Sequence, residues 1–418
     1  MSNVASSGDL ADLPGGVGGS VAPGFAPLVR AFAAAYGRRK GAGAALAVHL
    51  HGQPLVDIWV GTHSGSKPWT GRTGAIVFSA TKGVTATVIH RLADRGLIDY
   101  DAPVAEYWPE FAANGKGSIT VAQVMTHRAG LSGLGALATD ITEVLDHQLM
   151  EERLAAAKPD RLLGVPTYHA LTYGWLLAGL ARRVTGRGLG ELFRAEVTEP
   201  LGIDGIHLGL PPSGSTVDFA PIAGNHLRLL GGPVGGYLLA RTFGFPGAPG
   251  AAARALFMPG VDTFLEGPNP PILNTELGAG NGVCTATGLA TMYGVLANGG
   301  MSDGRRYLSA RTIAELRRIR SYRLDHALFY FPMMWHLGYH SMPMPYAHEG
   351  LGHIGLGGSF GWAEPRLGLS VGFVHNRMGV PQITGDQMAA VWLLPLIVNC
   401  LRGAARRPAP EIRREAAA

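Results

Sequence analysis

β-prone runs lie at both ends of the chain. Ala44–His51 and Pro54–Val60 come near the start, Met333–Tyr339, Gly358–Ala363 and Leu367–His375 near the end, and the stretch between is helical in pattern. The first pair flanks His51-Gly52-Gln53 and reads as a hairpin. In the middle, Val121–Thr126, Ile141–Ala157, Leu171–Val184 and Gly190–Val197 carry helical spacing, and Gln387–Leu401 reads as a closing helix. The fold class this implies is α+β: an antiparallel sheet flanked by helices and built from both termini, with a mainly helical domain inserted. Residues 23–100 and 276–402 are assigned to the sheet domain and 101–275 to the helical one, with 1–22 and 403–418 as flexible tails. Within the helical part, Pro211–Pro271 is rich in Gly and Pro and poor in periodicity, so it reads as irregular cover over a site.

Composition narrows the function classes. With 47% hydrophobic and 16% charged residues in 418, the chain can bury a substantial core. The net charge of +5 owes much to Arg402, Arg406, Arg407, Arg413 and Arg414 in the C-terminal stretch. No basic face with interleaved aromatics accompanies it, so nucleic acid is not an expected partner. Cys284 and Cys400 sit far apart in apolar surroundings and read as buried thiols. The first twenty residues lack a basic segment followed by an apolar run, and no stretch approaches about 20 uninterrupted apolar residues. The expectation is a cytoplasmic protein without a membrane span. His348-Glu349 and His353 are five apart among glycines, where zinc ligands on one helical face need i and i+4, so no metal site is expected there. No cofactor is implied.

The chemistry concentrates at Ser79-Ala80-Thr81-Lys82, an S-x-x-K sequence. Residues three apart on a helix share a face, so Lys82 can reach the Ser79 hydroxyl and, if burial keeps its amine neutral, take its proton. The spacing alone does not decide, because Ser64-Gly65-Ser66-Lys67 has it too, and serine is also a common helix N-cap. Context separates the copies. The Ser64 copy lies in a Gly/Ser/Pro loop. The Ser79 copy joins the apolar run Ala75–Phe78 to Val84, Val88, Ile89 and Leu92 at helical spacing, up to a C-capping Gly96. Gly357-Gly358-Ser359-Phe360-Gly361 matches a nucleophile elbow, G-x-S-x-G, but Ser359 runs into a strand and no histidine follows Asp386, so the triad order fails and a tight turn is the better reading.

Three further stretches carry a resemblance. Val124-Met125-Thr126-His127-Arg128-Ala129-Gly130-Leu131, Tyr168-His169-Ala170 with Leu171-Thr172-Tyr173-Gly174-Trp175, and His353-Ile354-Gly355 resemble segments of the class C β-lactamase and penicillin-binding-protein serine hydrolases, especially the family VIII carboxylesterases. The resemblance covers about residues 25 to 400 and makes the first stretch structural, Tyr168 the catalytic tyrosine sharing acid and base duty with Lys82, and Tyr173 a packing residue. It also places His353 and Gly355 on a strand edging the pocket, and pairs the backbone N–H groups of Ser79 and Leu356 in an oxyanion hole.

Two departures bear on the substrate. Ala170 stands where the family has an asparagine that binds the β-lactam side-chain amide, and His353 where it has a lysine that attracts the carboxylate. Both losses favour an uncharged ester over a β-lactam. Trp335, Trp175 and Trp362 are candidates for the pocket wall or for plain core. The resulting expectation is a carboxylesterase acting through an acyl-enzyme on Ser79, with a small ester or acyl compound as partner. Rivals are an acyltransferase using the same acyl-enzyme, a β-lactamase or D-amino-acid peptidase, and a non-catalytic binding module.

Overall fold

The computed structural model describes residues 16–37, 41–135, 137–224, 245, 247–256, 260–378 and 385–405. Along the chain run β1 (Val17–Val21), β2 (Gly43–Leu50), β3 (Gln53–His63), β4 (Lys67–Pro68), β5 (Thr73–Ile76), β6 (Ile206–Leu208), β7 (Asp218–Ala220), β8 (Gly282–Cys284), β9 (Met301–Ser302), β10 (Arg305–Arg306), β11 (Leu351–Ile354), β12 (Phe360–Glu364) and β13 (Leu369–His375). The longest helices among the described residues are α1 (Ala26–Tyr36), α2 (Thr81–Asp94), α3 (Thr172–Thr185), α4 (Ala286–Ala297) and α5 (Ala389–Ala405).

The two chain ends meet in one seven-stranded antiparallel sheet ordered β1-β3-β2-β13-β12-β11, with β4 added to β3. Its centre is the pairing of β2 with β13, where Ala47 faces Gly372. The β2–β3 hairpin turns through His51 and Gly52, both at positive φ (50° and 79°), which suits the twist of a two-residue turn. Alternate residues divide the sheet into two buried faces. Ala44, Leu46, Val48 and Phe373 pack with Leu28 and Phe32 of α1 and Leu393 and Ile397 of α5. Ala45, Ala47 and Val374 face the larger core with α2, α3 and α4. Small residues on that second face bring α4 close: a Cβ on Gly372 would lie 2.0 Å from Ala286 O, and one on Gly361 2.1 Å from the Tyr293 ring. A second, four-stranded sheet, β6-β8-β5-β7, leads directly into α2 through β5.

Several expectations change in detail. Residues 1–22 are not wholly a tail, because Val17–Val21 pairs with Val56–Val60. The glycines that suggested flexibility serve close approach there: Gly19 has φ 116°, and a Cβ on Gly18 would lie 2.3 Å from Trp59 Nε1. Met333–Tyr339 is not a strand, since Met334 and Gly338 have φ 47° and 77° and leave only isolated bridges at Trp335. Ile141–Ala157 is broken at Asp146, whose side chain accepts from Leu149 N and starts a new helix at His147. The expected Gly190–Val197 helix is an α-turn, Leu189–Leu192, running into a π-helical Phe193–Thr198. The segment 211–271 contains β7 and the helix Gly247–Leu256; 225–244, 246 and 257–259 lie outside the described residues. At the C-terminus, α5 runs to Ala405, and 406–418 lie outside the described residues.

Gly96 does end the α2 helix. It has φ 75° and, with Leu97 N donating to Leu92 O and Gly96 N to Ala93 O, forms a Schellman cap. The stretch Asp386–Ala404 is long and apolar enough to cross a membrane by length and composition. Within it, Leu393, Leu394, Ile397 and Val398 are buried against α1 and the sheet.

Candidate active site

Strand β5 delivers the chain to a 3₁₀ turn, Phe78–Ala80, and α2 follows at Thr81. The turn is fixed from both sides: Val77 N donates to Gly282 O (2.9 Å), and Gly282 N donates to Thr81 Oγ1 (2.9 Å). Phe78 has φ 46°, a costly conformation for a side chain of this size, immediately before Ser79. The N-cap of α2 is Ala80, with no side-chain cap bond, so Ser79 does not serve as the cap. Its Oγ lies 3.1 Å from Lys82 Nζ.

Lys82 is fully buried, and its Nζ also donates to Ala170 O (2.6 Å) and Ala279 O (2.9 Å). Burial holds its pKa well below the usual lysine value. A neutral amine has two N–H groups and one lone pair. In that form the two carbonyls would occupy both N–H groups and leave the lone pair for Ser79 Oγ. The other S-x-x-K copy has no such arrangement: Lys67 is exposed and pairs with Asp218 (2.6 Å), while Ser64 contacts His63.

Tyr168 is buried over the same amine, with Lys82 Nζ 4.8 Å from its ring centroid. Burial raises the phenol pKa, hydrogen bonding with Ser79 offsets this in part, and the charge of Asp325 adds to the rise. The phenol is therefore protonated at neutral pH. Trp335 stacks on Tyr168 at 5.8 Å and 8°, with no exposed surface, and its Nε1 donates to Asp325 (3.1 Å). Asp325 also accepts from Tyr168 N (3.1 Å), Ala327 N (3.0 Å) and Leu328 N (3.1 Å). This buried carboxylate, absent from the sequence reading, ties the tyrosine to the loop after Ser321. The one available signal is that Asp325 is the only acidic residue between Glu315 and Glu349.

The segment Thr126–Leu131 holds the irregular stretch around Tyr168 in place. His127 O accepts from Thr167 N (2.9 Å), Arg128 O from Gly164 N (2.9 Å) and Gly130 O from Asp160 N (2.8 Å). Two histidines complete the splice: His169 N donates to His127 Nδ1 (3.1 Å), and Leu131 N to His169 Nε2 (3.2 Å). These acceptor roles put the proton of His127 on Nε2 and that of His169 on Nδ1, which faces Thr167 O at 2.7 Å. Tyr173 lies in the buried body of α3, beside His127 at 5.0 Å. Ala170 meets the site through its carbonyl. Ala251 and Ala255, from the 211–271 segment, pack with Tyr168, Ala170 and Trp335.

On the opposite wall, β11 brings His353 to 6.2 Å from Tyr168 between ring centroids. Burial, with His340 and Lys82 nearby, holds its pKa well below the usual imidazole value, so it is neutral. Gly355 lies against the Val77–Ala80 turn, where a Cβ would fall 2.1 Å from Val77 O and 3.3 Å from Ala80 N. Leu356 follows, partly exposed, before Gly357 and Gly358 at φ 86° and 104°. Ser359 is buried in the turn into β12, and its Oγ accepts from His375 N (3.2 Å). Trp175 and Trp362 are core, and Glu349 pairs with Arg366. Among the described residues, no group of three His, Cys, Asp or Glu side chains is placed to hold a metal ion.

The family model described as Beta-lactamase matches residues 28–392. A curated relative from Mycobacterium tuberculosis (strain ATCC 25618 / H37Rv), Esterase/beta-lactamase LipL, is 47% identical over 405 residues, covering 96% of this chain and 92% of its own. Two solved structures are similar across 92% of this chain and 99% of theirs: a family VIII carboxylesterase (TM-score 0.73, 31% identity) and a penicillin-binding protein homologue from Caulobacter crescentus (TM-score 0.76, 29% identity). With the family match running from α1 into α5, this chain belongs to the β-lactamase family and has the β-lactamase/transpeptidase-like fold.

Proposed function

We propose that this protein is a serine esterase that cleaves carboxylic esters through an acyl-enzyme on Ser79. The observation that carries the reading is the buried Lys82 amine, 3.1 Å from Ser79 Oγ, with two carbonyls on its remaining valences. In the first step Ser79 Oγ attacks the ester carbonyl carbon while its proton passes to Lys82 Nζ. The tetrahedral oxyanion sits against the Ser79 and Leu356 N–H groups. Collapse breaks the bond to the alcohol oxygen, which leaves with a proton relayed from Lys82 through the Tyr168 hydroxyl. Water then attacks the acyl carbonyl, gives its proton to the same pair, and Ser79 departs as the alcohol with the acid released.

Two features support an ester over a β-lactam. His353 is neutral where the resemblance puts a carboxylate-binding lysine, and Ala170 has no side-chain amide to offer. The relative named for both activities keeps β-lactam hydrolysis as the second reading. The test compares p-nitrophenyl butyrate and nitrocefin hydrolysis by the wild type, Ser79→Ala and Ser359→Ala. Ester hydrolysis far above nitrocefin hydrolysis, abolished by Ser79→Ala and kept by Ser359→Ala, is the expected result. Equal rates in wild type and Ser79→Ala overturn the assignment, and preferential nitrocefin turnover establishes the second reading.

A further inference from the structure

We infer that Gln387 is a positioning residue for the oxyanion hole: its carboxamide clamps the peptide groups on either side of Leu356 and so aims the Leu356 N–H at the reacting carbonyl. This rests on the acyl-enzyme reading above and goes beyond it to a side chain outside all the motifs.

The loop after β11 has little to hold it by itself. It contains Gly355, Gly357 and Gly358, the last two at positive φ, and glycine is the residue with most backbone freedom to lose. The amides of its three glycines are engaged. Gly355 N donates to Ser359 O (2.7 Å), Gly358 N to Gly355 O (3.0 Å) and Gly357 N to Gln387 Oε1 (3.0 Å). Gln387 Nε2 in turn donates to Gly355 O (3.1 Å). One side chain thus bonds the carbonyl before Leu356 and the amide after it. Among the described residues the Leu356 N–H makes no hydrogen bond, which leaves it available to an incoming oxygen.

The clamp is itself fixed. Gln387 sits on the 3₁₀ turn Asp386–Met388 at the start of α5, and the Asp386 carboxylate forms a bidentate pair with Arg377. The backbone of this turn closes over the loop, since a Cβ on Gly358 would lie 1.9 Å from Asp386 O. His375 adds a third hold: Arg377 N donates to its Nδ1 (3.1 Å), so its Nε2–H donates to Gly357 O (2.9 Å). On the other side Gly355 abuts the Val77–Ala80 turn. Leu356 is therefore fixed between the nucleophile turn and the start of the last helix. A preorganised donor of this kind acts on the transition state and little on the ground state.

The experiment measures kcat and KM for p-nitrophenyl butyrate, and inhibition by phenylboronic acid, in wild type, Gln387→Met, Gln387→Ala and Met388→Ala. Phenylboronic acid is chosen because its tetrahedral adduct on Ser79 presents an anionic oxygen to the same N–H groups. The expected result for both Gln387 variants is a fall of about 10- to 100-fold in kcat with KM within about twofold. Boronate affinity weakens in parallel, and Met388→Ala behaves as wild type. Near-wild-type kcat in Gln387→Met overturns the inference, as does a loss shared by Met388→Ala or one that leaves boronate affinity unchanged. Thermal unfolding identifies a variant that fails to fold, and Gln387→Met, which keeps the side-chain volume, then decides. A failure of the acyl-enzyme reading is distinguishable, because it leaves Ser79→Ala active.

Discussion

Lys82 Nζ lies 3.1 Å from Ser79 Oγ and is held there by the carbonyl oxygens of Ala170 and Ala279, with no ion-pair partner among the described residues. Desolvation disfavours the ammonium, so under the proposed mechanism the amine is ready to act as the base before substrate arrives. Activity then requires the neutral amine. The acid limb of kcat/KM falls as pH drops through the lowered Lys82 pKa and is flat above it. Lys82→Arg, which remains protonated, is expected to reduce kcat/KM by at least about 10³-fold at every pH between 6 and 9, a range set for the assay. A profile whose activity climbs only near the usual lysine pKa contradicts this.

Tyr168 is expected to work as a protonated relay, because burial and Asp325 both favour the phenol. Tyr168→Phe keeps the ring against Trp335 and removes only the hydroxyl. It is expected to lower kcat by about 10²- to 10⁴-fold with the melting temperature nearly unchanged. Stopped-flow release of p-nitrophenol measures this, and a normal acylation rate in Tyr168→Phe contradicts it.

Gly355, the residue after β11, lies against the Val77–Ala80 turn. An added Cβ would fall 2.1 Å from Val77 O, so Gly355→Ala must push the two apart. A destabilisation of about 1–3 kcal/mol is expected in urea unfolding, together with a loss of kcat in the fraction that remains folded. Full activity in Gly355→Ala places the loop farther from the reaction than described above.

Asp325 accepts three backbone N–H groups and the Trp335 indole while fully buried. Asp325→Ala leaves these donors without a partner and is expected to destabilise the protein by about 3 kcal/mol or more. A melting temperature within experimental error of wild type contradicts that role.

Much of this site was legible in the sequence, and the physical reasons differ from part to part. The closeness of Ser79 and Lys82 was readable because a helix converts a spacing of three into a shared face, and the Gly96 stop came with it. The pairing of both chain ends in one sheet was readable from period-two runs. The β-prone residues around Trp335 suggest a strand, but Met334 and Gly338 at positive φ interrupt them and leave single bridges in place of a ladder. Val17–Val21 was hidden by glycines whose role is close approach to Trp59 and Asp57. Asp325 and Gln387 belong to no motif, since their roles arise from contacts with residues far from them in the chain, such as Tyr168 and Gly355.

The most direct test is to mix the protein with p-nitrophenyl acetate, quench in acid within the first turnover, and map the adduct by peptide mass spectrometry. The expected result is one acetyl group on Ser79, absent in Ser79→Ala and accumulating in Tyr168→Phe only slowly. An acetyl group on any other residue at the burst amplitude, or turnover with no covalent adduct on Ser79, contradicts the acyl-enzyme account.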